Sequence, residues 1–214
     1  MERMIRQINS NVTVSAIPKG LESEESFAEI KSADWVFGCF DEDGPRFILN
    51  ELCAAYAIPY IDLASEASED GTFGGRICVA TDGDGCLFCL AELDMNDVRA
   101  YLTGDEERRA IDAIYGVPRK VLAESGPSVA PLNTLIAAHT VLEFMVAVTG
   151  MRQPTQFIRY YGHRPITTTS ADEPKSNCYY CKDIRGMCSD ADVERYLRMP
   201  HLRRNATTAG GNNQ

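Results

Sequence analysis

Two short runs carry the most distinctive chemistry in the chain, Cys86-Leu87-Phe88-Cys89 and Cys178-Tyr179-Tyr180-Cys181. Cysteines three apart share one tight turn, where both thiolates reach a single tetrahedral ion; a second such turn completes a four-sulfur shell. With every position filled by protein no place is left for water, so the ion expected here is a structural zinc held by Cys86, Cys89, Cys178 and Cys181. A lone Cys-x-x-Cys fits a redox pair or ordinary thiols as well. Two of them favour zinc, because both fall outside regular elements and neither opens a helix after the first strands of a redox fold. Of the other cysteines, Cys39 and Cys78 fall on predicted strands and Cys53 on a helical stripe, positions where cysteine acts as a small apolar side chain. Cys188, in RGMCSD, reads as a more exposed thiol.

A second group of reactive types is acidic. The apolar run DWVFGCF leads directly into DEDGPR, so Asp41, Glu42 and Asp43 crowd the end of a predicted parallel strand. Open α/β sheets bind ligands at that edge, and a carboxylate there can hold magnesium on a nucleotide's phosphates. Acids of an ordinary solvated loop would have the same composition.

The elements that must position these residues follow from periodicity. Met1, Met4, Ile5 and Ile8 have helical spacing, and Val12–Ile17 alternates as a strand does. An exposed acidic helix is predicted over Glu22–Lys31 and a buried parallel strand over Asp34–Phe40. A helix over Arg46–Tyr56 carries Phe47, Leu49, Cys53 and Ala54 on one side, and Pro59 opens a short apolar strand. Alternation on this scale predicts a Rossmann-like, mostly parallel sheet flanked by helices. Arg76–Ala80 reads as a strand ending in a Gly/Asp turn that delivers Cys86. Asp94–Tyr115 reads as two short surface helices broken at Thr103-Gly104, and Pro131–Gly150 as a buried helix closed by glycine. Thr155–Ser170 forms a carboxy-terminal hairpin around Gly162-His163, a short helix follows at Asp190–Leu197, and 201–214 is a polar, disordered tail beyond a single domain over 1–200.

Composition excludes several partners. A formal net charge of −10 and a pI near 4.8 argue against nucleic acid, whose binders concentrate Lys and Arg on one face. No uninterrupted apolar run spans a bilayer, and MERMIRQINS lacks the apolar core of a signal peptide, so no membrane partner and a cytoplasmic location are expected. That reducing compartment again favours thiols and metal ligation over disulfides.

ADWVFGCFDEDGPRFILNELCAAYAIPYIDLAS resembles the segment of the ThiF/MoeB/HesA adenylyltransferases written C-x-D-N-x-x-x-R-x-x-x-N, here Cys39, Asp41, Glu42, Arg46 and Asn50. The similarity continues through GGRICVATDGDGCLFCL, GPSVAPLNTLIAAHTVLEFMVAVTG and CYYCKD in the family's order. The resemblance implies ATP- and magnesium-dependent adenylation of the carboxy-terminal glycine of a ubiquitin-like or sulfur-carrier protein. It further implies Asp41 as the catalytic, cofactor-binding aspartate, the four cysteines as the zinc site, and a homodimer or a heterodimer with a related chain. Three departures accompany it. The Gly-rich nucleotide cradle would precede Met1, and neither GTFGG nor DGDG has its G-x-G-x-x-G spacing. Glu42 replaces the family's asparagine, and the stretch between the first cysteine pair and Gly126 has no cysteine to form a thioester. The chain is therefore expected to be the distal part of such an enzyme. The alternatives are a non-catalytic, zinc-braced subunit docking a ubiquitin-like protein or a homologous partner, and a redox or metal-handling protein.

Overall fold

A computed structural model describes residues 2–67, 71–83, 85–104, 129–170 and 175–203. Five strands form one sheet in sequential order: β1 (Val36–Gly38), β2 (Tyr60–Ala67), β3 (Phe73–Ala80), β4 (Phe157–Tyr161) and β5 (Ile166–Ser170). Only β1 and β2 pair in parallel; β2–β3, β3–β4 and β4–β5 are antiparallel. The sheet is thus mixed, and the expectation of a mostly parallel one is corrected. The reason is connection length: five residues join Ala67 to Phe73, a hairpin-scale link, whereas a parallel return needs a dozen or more. The hairpin predicted at Gly162-His163 is β4–β5.

The helix α1 (Glu2–Ile8) buries none of its residues, and the predicted strand at Val12–Ile17 joins no ladder. Alternation supplies a strand's side-chain pattern but not a partner for its backbone, and among the described residues none pairs with it. One face of the sheet is covered by α3 (Asp43–Ala55), against which α2 (Glu24–Lys31) packs. Ser23 caps α2, its hydroxyl accepting from the Ser26 amide at 3.2 Å; Phe27 points into the core, so this helix is amphipathic rather than wholly exposed. In α3, Ile48, Leu52 and Ala55 are sealed from solvent, and Pro45 in the first turn costs no hydrogen bond. Behind α3 lie α4 (Met95–Leu102) and the carboxy-terminal segment. The rest of the predicted helical stretch, 105–115, lies outside the described residues.

The opposite face receives α5 (Ala130–Thr149), which lays Leu132 and Ile136 on Ile61, Ile77, Val79 and Ile158. Its Phe144 meets Trp35 and Phe37 edge-on at 5.2 and 5.3 Å. Gly150 closes the helix in the left-handed region, as expected. The helix is not buried, however: Leu135, Val141, Leu142, Met145 and Val148 stand exposed. A single helix on one face of a sheet covers only its inner stripe, whatever its apolarity elsewhere.

Beyond the second cysteine pair come a short 3₁₀ turn (Cys188–Ala191) and α6 (Arg195–Arg198). Here the buried Glu51 pairs with Arg195 at 2.6 Å and accepts the Tyr196 hydroxyl at 2.6 Å, tying this segment to α3. Glu194 accepts from Tyr56 at 2.7 Å and pairs with Lys31. Of the tail expected over 201–214, 201–203 are helical with Leu202 fully buried, which corrects its start at 201; 204–214 lie outside the described residues.

Candidate functional site

The four cysteines of the paired motifs converge although 92 residues separate the two turns. Gly85, at φ +144, bends the backbone in a way side chains resist and delivers Cys86 to a turn closed by the Leu90 amide on the Cys86 carbonyl at 3.0 Å. The second pair sits at the start of a wide π-type turn, Tyr179–Asp183, opened by the Lys182 amide on the Cys178 carbonyl at 2.9 Å. Tyr180, between its two cysteines, packs edge-on against Phe47 of α3 and Phe88 of the first turn at 5.5 and 5.1 Å. The apolar spacer residues thereby weld the two turns to each other and to the core.

All four thiols are buried. A tetrahedral ion with sulfurs at about 2.3 Å sets them about 3.8 Å apart. Here Cys86 and Cys178 are 3.7 Å apart, Cys89 and Cys181 3.9 Å, and all four sulfurs lie within 4.8 Å of one another. Donor type, number and spacing all fit a zinc-sized ion. Without an ion, hydrogen bonds from the Cys181 and Cys86 thiols hold Cys89 far below the ordinary thiol range, assisted by the Cys86 amide at 3.1 Å; the same bonding drives Cys86 far up. Among the described residues, this quartet is the group of three or more His, Cys, Asp or Glu side chains able to share a metal; Asp41, Glu42 and Asp43 do not converge in that way.

The acidic edge is built differently. The strand β1 ends at Gly38, where a Cβ would fall 2.4 Å from the Tyr60 hydroxyl, and the chain turns through Cys39 and Asp41 into α3. Asp41 is exposed in that turn. Cys39 is exposed too, which corrects its reading as a core thiol: the strand ends one residue earlier. Cys53 and Cys78 are buried, and Cys188 is exposed.

What the sequence did not reveal is the charged network beneath Asp41. Asp62, opposite Gly38 in the parallel register and fully buried, receives Arg46 at 2.5 Å, Arg76 at 3.1 Å and the Tyr60 hydroxyl at 2.7 Å. Arg76 continues to Glu92 at 3.5 Å, which pairs with Arg159 at 2.7 Å. Arg46 also donates to the Phe40 carbonyl and lies 3.6 Å from Asp43, so it fastens both sides of the Asp41 turn to the sheet. One turn further along α3, the Asn50 Oδ1 accepts the Leu87 amide inside the first cysteine turn at 3.2 Å. The acid in PYIDLA was the available signal, since a carboxylate in an apolar strand needs buried partners. A cleft of about 330 Å³ lies between Pro18–Glu25 and the side chains of Leu197 and Arg203; its lining includes neither Asp41 nor the cysteines.

Comparison with known proteins gives a consistent answer. The profile of the ThiF family matches residues 1–185. A search of curated protein sequences gave no match. Among solved structures, E. coli MccB with ATP is 16% identical with a TM-score of 0.57, the match covering 84% of this chain and 48% of that one. MccB with AMPCPP and MccA gives 16% and 0.59 over the same shares. The microcin C7 biosynthetic enzyme MccB with N-formylated MccA gives 19% and 0.55 over 84% and 50%. Identities this low speak for the fold alone, and the chain spans about half the length of these structures. With the family profile covering most of its length, the chain belongs to the ThiF family.

Proposed function

We propose that this chain is the distal part of an ATP-dependent adenylyltransferase acting on the carboxy-terminal glycine of a ubiquitin-like or sulfur-carrier protein. In that reaction a carboxylate oxygen attacks the α-phosphorus of ATP and pyrophosphate leaves, giving an acyl adenylate. The observation that carries the reading is the Arg46 clamp, which holds the turn bearing exposed Asp41 at the carboxyl end of the parallel β1–β2 pair. Asp41 is the proposed magnesium-holding carboxylate, with magnesium offsetting charge on the phosphates. The quartet Cys86, Cys89, Cys178 and Cys181 is the proposed structural zinc site. The MccB structures that carry ATP or MccA support a nucleotide and a peptide-like partner by analogy. The test is carrier-dependent ATP–pyrophosphate exchange in the protein completed by an amino-terminal section. Exchange that survives Asp41→Ala would remove Asp41 from the reaction.

A non-catalytic role, docking a ubiquitin-like protein or a homologous chain, is the second reading. It is favoured by Glu42, which stands where the family's asparagine follows the key aspartate and adds charge beside the proposed magnesium position. Persistent failure of exchange in the completed protein, with carrier binding intact, would select it.

We further propose that a second copy of this chain covers α5. Leu135, Ala138, Leu142 and Met145 are exposed at spacings of three and four, the period of a helix–helix seam. The seam bears no charge, so two-fold pairing sets the face against itself without repulsion, in a chain whose formal net charge is −10. An uncharged apolar face is also what permanent homodimers bury.

A further inference from the structure

We infer that Asn50 is a positioning residue for the metal, fixing the first cysteine turn with one end of its side chain and donating through a water toward the thiolate cluster with the other. The inference rests on the zinc reading of the quartet. Asn50 is 2% exposed, and its two polar atoms have different fates. The Oδ1 accepts the Leu87 amide at 3.2 Å, which holds the residue following Cys86 against α3. The Nδ2 is buried with no hydrogen-bond partner in the protein. A buried amide donor left unmade costs on the order of 1–3 kcal/mol, so such an atom calls for a physical account.

The surroundings supply one. Asn50 lines a small, partly open cavity of about 20 Å³ together with Cys86, Cys181, Tyr180 and Arg185. That volume suits a single water, which requires polar partners on its walls. Four thiolates around a divalent ion form a doubly negative cluster, and such a cluster sealed from solvent needs donors aimed at its sulfurs. Cys89 has the Cys86 amide at 3.1 Å and the Lys175 backbone. The Arg185 guanidinium, although it borders the cavity, donates to the Thr81 carbonyl. The Asn50 Nδ2, acting through one water in the cavity, is then the donor that serves the Cys86 and Cys181 side of the cluster. The chemistry demands an amide in particular: aspartate would keep the acceptor for Leu87 but set an anion beside the thiolates, and leucine would supply neither group.

The test measures metal affinity by chelator competition, together with the sulfur-to-cobalt charge-transfer band of the cobalt-loaded protein. The variants are Asn50→Asp and Asn50→Ala, with Thr140→Val, a buried change within α5, as a control. Both Asn50 variants are expected to bind zinc and cobalt about tenfold to a hundredfold more weakly than the parent and to shift the charge-transfer band, while the control matches the parent in both. Parent-like affinity and spectrum in Asn50→Asp would overturn the donor role. The same result in Asn50→Ala would overturn the positioning role as well. Should neither variant fold, a high-resolution structure of the unaltered, metal-loaded chain decides: a water within hydrogen-bonding reach of Nδ2 supports the inference, and a dry cavity overturns it. An unaltered chain that takes up no metal would remove the zinc reading itself, an outcome separable from any of these.

Discussion

The Arg46 guanidinium is nearly sealed from water, bonded to Asp62 and to the Phe40 carbonyl, and a pair so placed matters chiefly through what its loss leaves behind. Arg46→Met would leave the buried Asp62 carboxylate with Arg76 as its one remaining cation beside the Tyr60 hydroxyl. The expected cost is about 3–5 kcal/mol in urea denaturation, and a loss under 1 kcal/mol would show that the network is not a structural clamp. Asp41→Ala separates the other role. As an exposed turn residue it should leave the denaturation midpoint within about 0.5 kcal/mol of the parent while abolishing adenylate exchange in the completed protein. Legibility at this scale depended on how local the signal was. The cysteine ligands are paired within four residues and could be read directly. Asp62, Arg76, Glu92 and Arg159 come from four different stretches, and only the folded sheet sets their charges side by side. Asn50 and Arg46 could be read as motif letters, but the partners that give each its task could not.

At the scale of elements, the sequence separated helix from strand well and misjudged what covers them. In α5, apolar residues occur on all sides, so periodicity located the helix and its glycine stop but could not say which stripe meets the sheet. Val12–Ile17 has strand alternation and no ladder, since pairing depends on a neighbour that local pattern does not encode. The uncovered seam of α5 leads to a prediction. Leu142→Glu combined with Met145→Glu should convert a dimer to a monomer in sedimentation velocity, with the circular dichroism spectrum retained. A monomeric parent, or association unchanged by the double substitution, would remove this face as the contact; flotation of the parent with liposomes would assign it to lipid instead. The same helix carries a pH-sensitive tie. Burial pushes the Glu143 carboxyl up, but the Arg152 guanidinium at 2.6 Å and the Thr155 amide at 2.8 Å outweigh it and hold the carboxyl below its ordinary value of 4.5. A lowered value in the folded state contributes stability above pH 4.5 that is lost as pH falls through the folded value. Between pH 6 and pH 3, Glu143→Gln should therefore flatten the decline of the urea midpoint, and an unchanged slope would count against this tie.

Across the whole molecule, the cysteine quartet joins two stretches 92 residues apart, and much of the carboxy-terminal half depends on that junction. Beyond Cys181 the chain runs back along α3: the Gly186 amide reaches the Ala54 carbonyl at 3.1 Å, Glu51 holds Arg195, and Val193, Tyr196 and Leu202 complete the principal core. Closing so long a loop costs entropy that the ion's binding energy offsets, and in sites of this kind binding energy is also folding energy. Zinc should therefore be present at one ion per chain and absent from Cys178→Ser. Its removal by a chelator should do more than empty a surface site. Amide exchange should accelerate first in residues 175–203 and next in α3, whose Phe47 and Asn50 contact the cysteine turns, while the β2–β3 ladder and the α5 stripe, sharing a separate apolar cluster, are the last to open. Hydrogen exchange read by mass spectrometry distinguishes the possibilities. Uniform protection after chelation would mean that the quartet does not brace the fold, and simultaneous loss everywhere would mean that the two faces of the sheet form one cooperative unit rather than the two their separate cores imply.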